Sequence, residues 1–238
     1  MARAGEGGGD VLSRMVLAGL FLLAATTGMV DATTFLGLGR VFTANMTGNV
    51  LLLGFSSTTR PDGYTQNTIL YGGLAALLAF VSGALLGAAV AGRRDATARF
   101  RAGFGTEWVF LATAAVLLFD TGATRGGLRY VVLVLFGLSM GFQSSVVRRM
   151  GVPDINTTVL TTTMAGLASD VVAVAGRAAR VARRVATVAF LFLGAALGAV
   201  LEEQGVRWSA LGALAALSLG VLLMGFGGAL RPGGDLSV

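Results

Sequence analysis

Six apolar stretches dominate the chain, and each approaches the length needed to cross a lipid bilayer. They run over residues 15–38, 69–91, 104–119, 130–147, 185–201 and 208–228. A spanning helix needs about 20 mostly apolar residues. The stretch 104–119 is the shortest, and we expect its Glu107 to lie at the membrane interface beside Trp108. The pattern therefore predicts one transmembrane domain over residues 15–228, between a disordered tail at 1–14 and a second tail at 229–238.

Two further stretches mix polar with apolar residues. Residues 41–56 contain Thr43, Asn45, Thr47 and Asn49, and residues 155–175 contain Asn156, Thr157, Thr158, Thr161 and Asp170. Irregular backbone at membrane depth is tolerated only where protein or water satisfies its polar groups. These hydroxyls and amides therefore have two interpretations: they line a polar site near the membrane centre, or they only cap and connect broken helices.

The same order of elements occurs twice, over residues 15–119 and 130–228. Each half has a span, then a polar–apolar stretch, then two more spans. Cytoplasmic loops of membrane proteins are enriched in arginine and lysine. Placing the arginine-rich segments 93–101 and 177–184 in the cytoplasm puts both termini there. It also leaves residues 41–56 with both ends outside and residues 155–175 with both ends inside.

This assignment predicts an all-α integral membrane protein with six spanning helices in two inverted three-helix halves. Each half would carry a re-entrant or broken-helix motif, a duplication that is common in transporters. The two motifs would enter from opposite faces, so that Asn45 approaches Thr158 near the membrane centre. The alternative is that both stretches span fully, which gives eight helices in parallel halves; it places residues 93–101 outside, against the arginine bias.

Composition supports the membrane class and limits the chemistry. Hydrophobic residues make up 55% of the chain and charged residues 13%, against roughly 25% charged in soluble domains. The net charge of +6 comes from arginines at helix ends, so we expect the lipid bilayer as partner and no nucleic acid. The chain has no Cys and no His, and it shows no nucleophile–base pair. We therefore expect no metal, no cofactor, no catalytic residue and no enzymatic activity.

Glycines spaced four apart indicate where helices pack closely. The pairs are Gly83/Gly87, Gly137/Gly141 and Gly194/Gly198. Small residues at this spacing let two helix backbones approach each other in a bilayer. The alternative is that a Gly-rich chain produces such pairs by chance.

Three polar side chains within or near spans are candidates for function. A carboxylate at the centre of a span costs about 2.5–3.5 kcal/mol on insertion scales and is usually functional. Asp31 and Asp170 are such acids; Arg40 and Arg177 are their candidate ion-pair partners, and interface water is the alternative. Gln143 occupies the region of the second half that corresponds to Asp31, where an amide would complete a polar centre.

The central run GMVDATTFLGLGRVFTANMTGNVLLLG resembles the signature of the YoaK-like family, small multi-spanning bacterial proteins catalogued as a domain of unknown function. The run GFQSSVVRRMGVPDINTTVLTTTMAGLASD resembles that family's second signature, and the likeness covers roughly residues 15–228. The resemblance implies a bacterial inner-membrane protein and no particular activity. Ser144-Ser145 and Thr162 depart from the pattern, which leaves the roles of Ser144 and Thr162 open.

Two functions fit these features. The first is a transporter or channel for a small polar solute or an ion, whose site would combine Asp31, Asn45, Asn49 and Gln143 with residues of the second motif. The second is a non-transporting membrane partner or assembly factor, in which the motifs only pack helices. A homo-oligomer is compatible with both. A cavity that reaches Asp31 or Asn45 would favour transport, and a dry, packed centre would favour the second function.

Overall fold

The chain is almost entirely helical in the part that its structure, a computed structural model, describes. That part comprises residues 6–58, 63–92, 96–121, 124, 126–150, 164–165 and 178–229. The helices are α1 (Glu6–Ala32), α2 (Met46–Thr58), α3 (Gly63–Ala91), α4 (Ala96–Thr121), α5 (Gly126–Met150), α6 (Ala178–Glu203) and α7 (Val206–Met224). Single π-helical turns, Thr33–Gly37 and Gly225–Ala229, extend α1 and α7.

Six of these helices are long and apolar enough to cross a membrane, whereas α2 is shorter. Their outward faces carry large apolar side chains such as Leu85 and Phe192, which are 68% and 70% exposed. Such a surface is suited to lipid, because a water-soluble protein rarely exposes large apolar patches. The predicted class, an all-α integral membrane protein with six spanning helices, is confirmed.

The helices extend beyond the predicted apolar stretches. α1 begins at Glu6, so residues 6–14, expected to belong to a disordered tail, continue the first helix. α6 begins at Ala178 and includes Arg180, Arg183 and Arg184. Arginine is a good helix former and its long side chain can carry the charge to the membrane surface. Charges therefore end the apolar pattern without ending the helix.

The contacts between helices define their relative directions. α1 is antiparallel to α7, because Gly19 lies beside Gly220 and Gly37 beside Val206. α4 is antiparallel to α7, since Phe119 packs on Trp208 while Trp108 reaches Ser218.

The remaining directions follow in the same way. α5 is antiparallel to α4, with Ser139 beside Glu107 and Val146 beside Gly103. α3 and α5 are parallel, as are α1 and α6. Hence α1, α4 and α6 run one way, and α3, α5 and α7 run the other.

The glycine pairs lie at two matching helix interfaces. Gly83 and Gly87 of α3 face α5, and Gly137 and Gly141 of α5 face α3. Gly194 and Gly198 of α6 face α1, where a Cβ on Gly198 would lie 2.9 Å from the Cα of Met29. All three pairs therefore mark packing faces, as the spacing predicted, because any side chain there would meet the backbone of the neighbouring helix.

Burial distinguishes central from peripheral helices. In the most apolar window of α1 and of α5, 56% and 61% of residues are buried. The values for α3 and α6 are 22% and 17%, and those for α4 and α7 are 39% and 33%. α1 and α5 therefore form the centre, and α3 and α6 face lipid most.

Glu107 lies in the protein interior, enclosed by neighbouring helices. Its exposure is 0%, and the neighbouring Trp108 is 45% exposed. α4 begins at Ala96, so Glu107 is three turns into the helix. The sequence led us to expect a carboxylate that reaches interface water, but the helix extends beyond the apolar stretch and the carboxylate is enclosed by protein, at a level where Ser139 of α5 reaches the Glu107 backbone.

Candidate functional site

The first polar–apolar stretch folds into a hairpin beside α1 and α3. Gly39 and Arg40 have φ angles of 107° and 59°, and this left-handed backbone suits glycine. A Cβ on Gly39 would also overlap the side chain of Thr68. After this turn, Val41 at the start of the hairpin contacts Gly72 of α3. Leu53, in the returning helix α2, contacts the adjacent Gly73. The chain therefore reverses near Asn45, and α2 returns toward the end from which it came.

Asp31 holds the tip of this hairpin. Its Oδ1 accepts hydrogen bonds from the backbone N–H groups of Thr43 (2.9 Å) and Ala44 (2.8 Å), and its Oδ2 accepts one from Asn45 (3.1 Å). These donors immediately precede α2, and free N–H groups at a helix start favour an anion. Within the described residues, the carboxylate bonds the backbone instead of Arg40, which the sequence suggested as its partner.

Two asparagines stabilise the hairpin through hydrogen bonds within it. Asn49 is 1% exposed; its Oδ1 accepts from Phe42 N–H at 2.9 Å and its Nδ2 donates to the Phe42 carbonyl at 2.6 Å. Asn45 caps α2, since its Oδ1 accepts from Gly48 N–H at 3.2 Å. The Thr43 side chain is buried, and its hydroxyl has no hydrogen-bond partner among the described residues. Asn45 and Asn49 therefore have a structural role whatever else they do.

A cavity of about 740 Å³ lies between the hairpin, α1 and the helices α3, α5 and α6. Three predicted site residues line it, namely Asp31, Asn45 and Thr47. Thr43, Asn49 and Gln143 are not among its lining residues and are buried in the surrounding protein. The cavity therefore joins part of the predicted site.

The predicted residues of the second motif lie outside the described part of the chain. They are Asn156, Thr157, Thr158, Thr161 and Asp170. The expected approach of Asn45 to Thr158 therefore stays a prediction.

Gln143 links the two central helices. It is fully buried, and its Nε2 donates to the Thr27 hydroxyl of α1 at 3.0 Å and to the Leu23 carbonyl at 3.4 Å. Thr27 in turn lines the cavity. The amide therefore connects the interior of α5 to the cavity wall through one hydroxyl.

Several residues of this region were not selected from the sequence. Thr27, Ser144 and Arg148 line the cavity, and Glu107 is buried with neither carboxylate oxygen hydrogen-bonded to any described residue. Thr27 has no distinguishing pattern, because threonines are common in apolar helices. Glu107 did carry a signal: it is an acid within an apolar stretch, as Asp31 is.

These features define the protein as a six-helix integral membrane protein with a short hairpin helix beside a cavity lined by α1, α3, α5 and α6. The chain belongs to the family described as "Protein of unknown function (DUF1275)", whose model matches residues 19–224.

A relative from Bacillus subtilis (strain 168) supports the same family. The chain is 32% identical over 155 residues to "UPF0700 transmembrane protein YoaK". The match covers 64% of this chain and 65% of that relative, so it spans just under two thirds of the relative's length. No solved structure matches the chain. The predicted YoaK-like family is confirmed.

Proposed function

We propose that this protein is a transporter or channel for a small polar solute or an ion. The observation that carries the proposal is the cavity of about 740 Å³, which reaches both Asp31 and Asn45. Binding sites for small molecules are concave and mostly apolar, with a few polar groups that orient the ligand. A cavity of this kind between helices of a membrane bundle is the expected place for a solute.

The cavity lining favours a solute without large net charge. Phe35, Phe80 and Leu191 supply apolar surface, and Asp31 and Arg148 are the charged residues among the described lining. Since both Asp31 oxygens already accept backbone hydrogen bonds, the carboxylate is not an open cation ligand in this conformation. A neutral polar molecule, or one carrying balanced charges, fits this lining best.

We further propose that the two halves form an inverted repeat. In support, α1 and α5 are both central and run in opposite directions. The helices α3 and α6 are buried to a similar extent and also run in opposite directions, and the same is true of α4 and α7. The contacts also match: Gly28 of α1 packs on Leu191 and Ala195 of α6, and Gly141 of α5 packs on Phe80 and Ala84 of α3. Rocking of one half against the other would then expose the cavity to alternate sides.

The proposal includes a place and an orientation for the protein. It would lie in the bacterial inner membrane with both termini cytoplasmic, without enzymatic activity, and a homo-oligomer is compatible with it. Arg207 stacks over Phe119 and Trp208 near the turn that joins α6 and α7. Aromatic residues concentrate at both membrane interfaces, which supports a position for this turn at one boundary of the bilayer; the proposed orientation makes it the outer one.

Two matched variants on α6 test the proposal. Ala199 lines the cavity, whereas Ala196 is exposed on the outward face of the same helix. Overpacking a filled site costs about 1–3 kcal/mol, which corresponds to a roughly five- to 150-fold loss of binding. Ala199→Phe should therefore reduce solute binding and uptake by this factor, and Ala196→Phe should change neither.

The measurement has two stages. Purified protein is first screened for thermal stabilisation by sugars, polyols, neutral amino acids and monovalent cations. Uptake of each radiolabelled hit into proteoliposomes is then compared for wild type, both phenylalanine variants and Asp31→Ala. If no compound stabilises the protein and no flux is found at any pH, the transport proposal is wrong; equal flux in both phenylalanine variants would exclude this cavity as the route.

A non-transporting membrane partner is the second candidate, and the internal bonding of the hairpin favours it. Asn45, Asn49 and Asp31 all have hydrogen bonds that hold the hairpin together. Their presence is thus explained without a solute. This candidate predicts that Ala199→Phe and Ala196→Phe behave alike in every assay of solute binding.

A further inference from the structure

Glu107 is the most unusual charged residue among those described. It lies in the spanning part of α4, and its side chain is 0% exposed. Neither Oε1 nor Oε2 has a hydrogen-bond partner among the described residues. An ionised carboxylate in such surroundings loses its hydration and gains no hydrogen bond or counter-ion in return, which is a large free-energy cost. In this conformation the group is therefore stable only as the neutral acid.

We infer that Glu107 is a proton-binding site in the membrane core, which takes up and releases its proton through the cavity. The inference rests on the proposed transport function, because transport is the process that the proton would drive. The residue lies outside the site predicted from the sequence, and it does not line the cavity itself.

A proton fits this site better than a metal ion. A cation in a dry site needs several oxygen ligands arranged around it. Among the described residues no group of three or more acidic side chains could hold a metal, and the Glu107 oxygens have no polar neighbour within hydrogen-bond distance. A single carboxyl group, by contrast, binds one proton without further ligands.

The Glu107 carboxylate has no counter-ion among the charged and titratable groups on the described helices that pack against α4. These groups are Tyr71 on α3, Arg129, Tyr130, Arg148 and Arg149 on α5, and Arg207 on α7. Arg129 and Arg207 interact with the rings of Tyr130 and Phe119 instead. The charge of Glu107 therefore depends only on whether the carboxyl group holds its proton.

The register between α4 and α5 indicates the route to the cavity. Gly103 lies against Val146, and the Glu107 carbonyl lies 3.5 Å from Ser139 Oγ. Gln143 falls between these two contacts along α5, one turn beyond Ser139. Its Nε2 donates to Thr27, which lines the cavity. This amide and this hydroxyl form the path that we assign to the proton between α5 and the cavity.

The step is a simple proton transfer. When water enters between α4 and α5, the Glu107 O–H bond breaks and the proton passes to that water, which leaves a carboxylate and a hydronium ion. The hydronium ion leaves by the cavity, and the reverse transfer restores the acid. No electron moves and no other reactant is needed.

Infrared spectroscopy of the full-length protein in lipid nanodiscs tests the inference without any solute. At neutral pH the wild type should show the C=O stretch of a protonated carboxylic acid, and Glu107→Gln should lack it. Glu203→Gln, which changes an exposed acid at the end of α6, should leave the band unchanged. In D₂O the band should shift as the proton exchanges, and Gln143→Leu should slow this shift by about tenfold.

The inference is overturned if the band is absent from wild type, survives Glu107→Gln, never shifts in D₂O, or shifts equally fast in Gln143→Leu. Should Glu107→Gln fail to fold, labelling of the wild type with dicyclohexylcarbodiimide provides a second measurement, because this reagent modifies protonated carboxyls in apolar surroundings. Modification mapped to Glu107 supports the inference, and its absence there contradicts it. An exchanging Glu107 without solute uptake would count against transport and leave the proton site intact.

Discussion

At the scale of single residues, Asp31 acts through the backbone. Its carboxylate supplies the acceptors for three consecutive N–H groups that precede α2. Hydrogen bonds to an ionised acceptor are stronger than neutral ones, and an unsatisfied donor at membrane depth is costly. An acid inside an apolar stretch therefore holds a break in the helical structure at a defined place.

Removing the carboxylate should loosen the hairpin. Asp31→Ala leaves three N–H groups without their acceptor, and we expect a loss of about 2–4 kcal/mol in unfolding free energy. Asp31→Asn should lose less, because an amide oxygen can still accept the two bonds now made to Oδ1. Unfolding in mixed micelles measures both variants, with Asp120→Ala at the exposed end of α4 as control. If Asp31→Ala and Asp120→Ala unfold alike, the hairpin does not depend on this carboxylate.

At the scale of helices, glycine decides which faces meet. The contacts of α1 with α6 and of α3 with α5 are backbone to backbone, and each uses glycines on both partners. Lipid tails are as apolar as leucine, so helices in a bilayer associate through close packing more than through the hydrophobic effect. The spacing of small residues therefore predicts which helix faces meet in this chain, whereas the hydrophobic pattern alone does not.

A larger residue at Gly141 should separate α3 from α5. A Cβ there would overlap the Phe80 carbonyl, and overpacking typically costs about 1–3 kcal/mol. Gly141→Leu should therefore lower the midpoint of thermal unfolding in detergent. Gly105→Leu on α4 is the matched control, because nothing lies within 4 Å of its Cβ position. A Gly141→Leu midpoint equal to that of Gly105→Leu would contradict the packing described for α3 and α5.

At the scale of the whole molecule, the arrangement depends on how often the chain crosses the membrane. Six crossings place Arg149 in the cytoplasm and Gln204 outside. Eight crossings, with both polar–apolar stretches spanning, place both residues outside. The short α2 and its return toward Gly73 support the six-crossing arrangement.

Cysteine labelling distinguishes the two topologies, and the chain has no native Cys to interfere. On intact cells, an impermeant thiol reagent should label Gln204→Cys and leave Arg149→Cys unlabelled until the membrane is opened. Both positions are exposed on the protein, so access to the reagent depends on the side of the membrane. Labelling of both variants on intact cells would instead support eight crossings and exclude the inverted arrangement.

The sequence by itself determined the membrane class, the six spans, the family and the break near Arg40, because long charge-free stretches and their interruptions are local properties of the chain. The sequence did not determine the helix ends. The helix α6 includes Arg180 and Arg183, although the apolar pattern begins only after them. The glycine pairs were visible, but their partners were not.

Only the tertiary structure decided which polar groups face one another. Asp31 and Arg40 are near in sequence, yet the carboxylate bonds residues 43–45. Glu107 looked interfacial and is buried, while Asn49 looked like a site residue and connects the hairpin. The physical reason is that the direction of a side chain from a helix is set by contacts with distant segments. The hydropathy pattern records how apolar a stretch is and carries no information about those contacts.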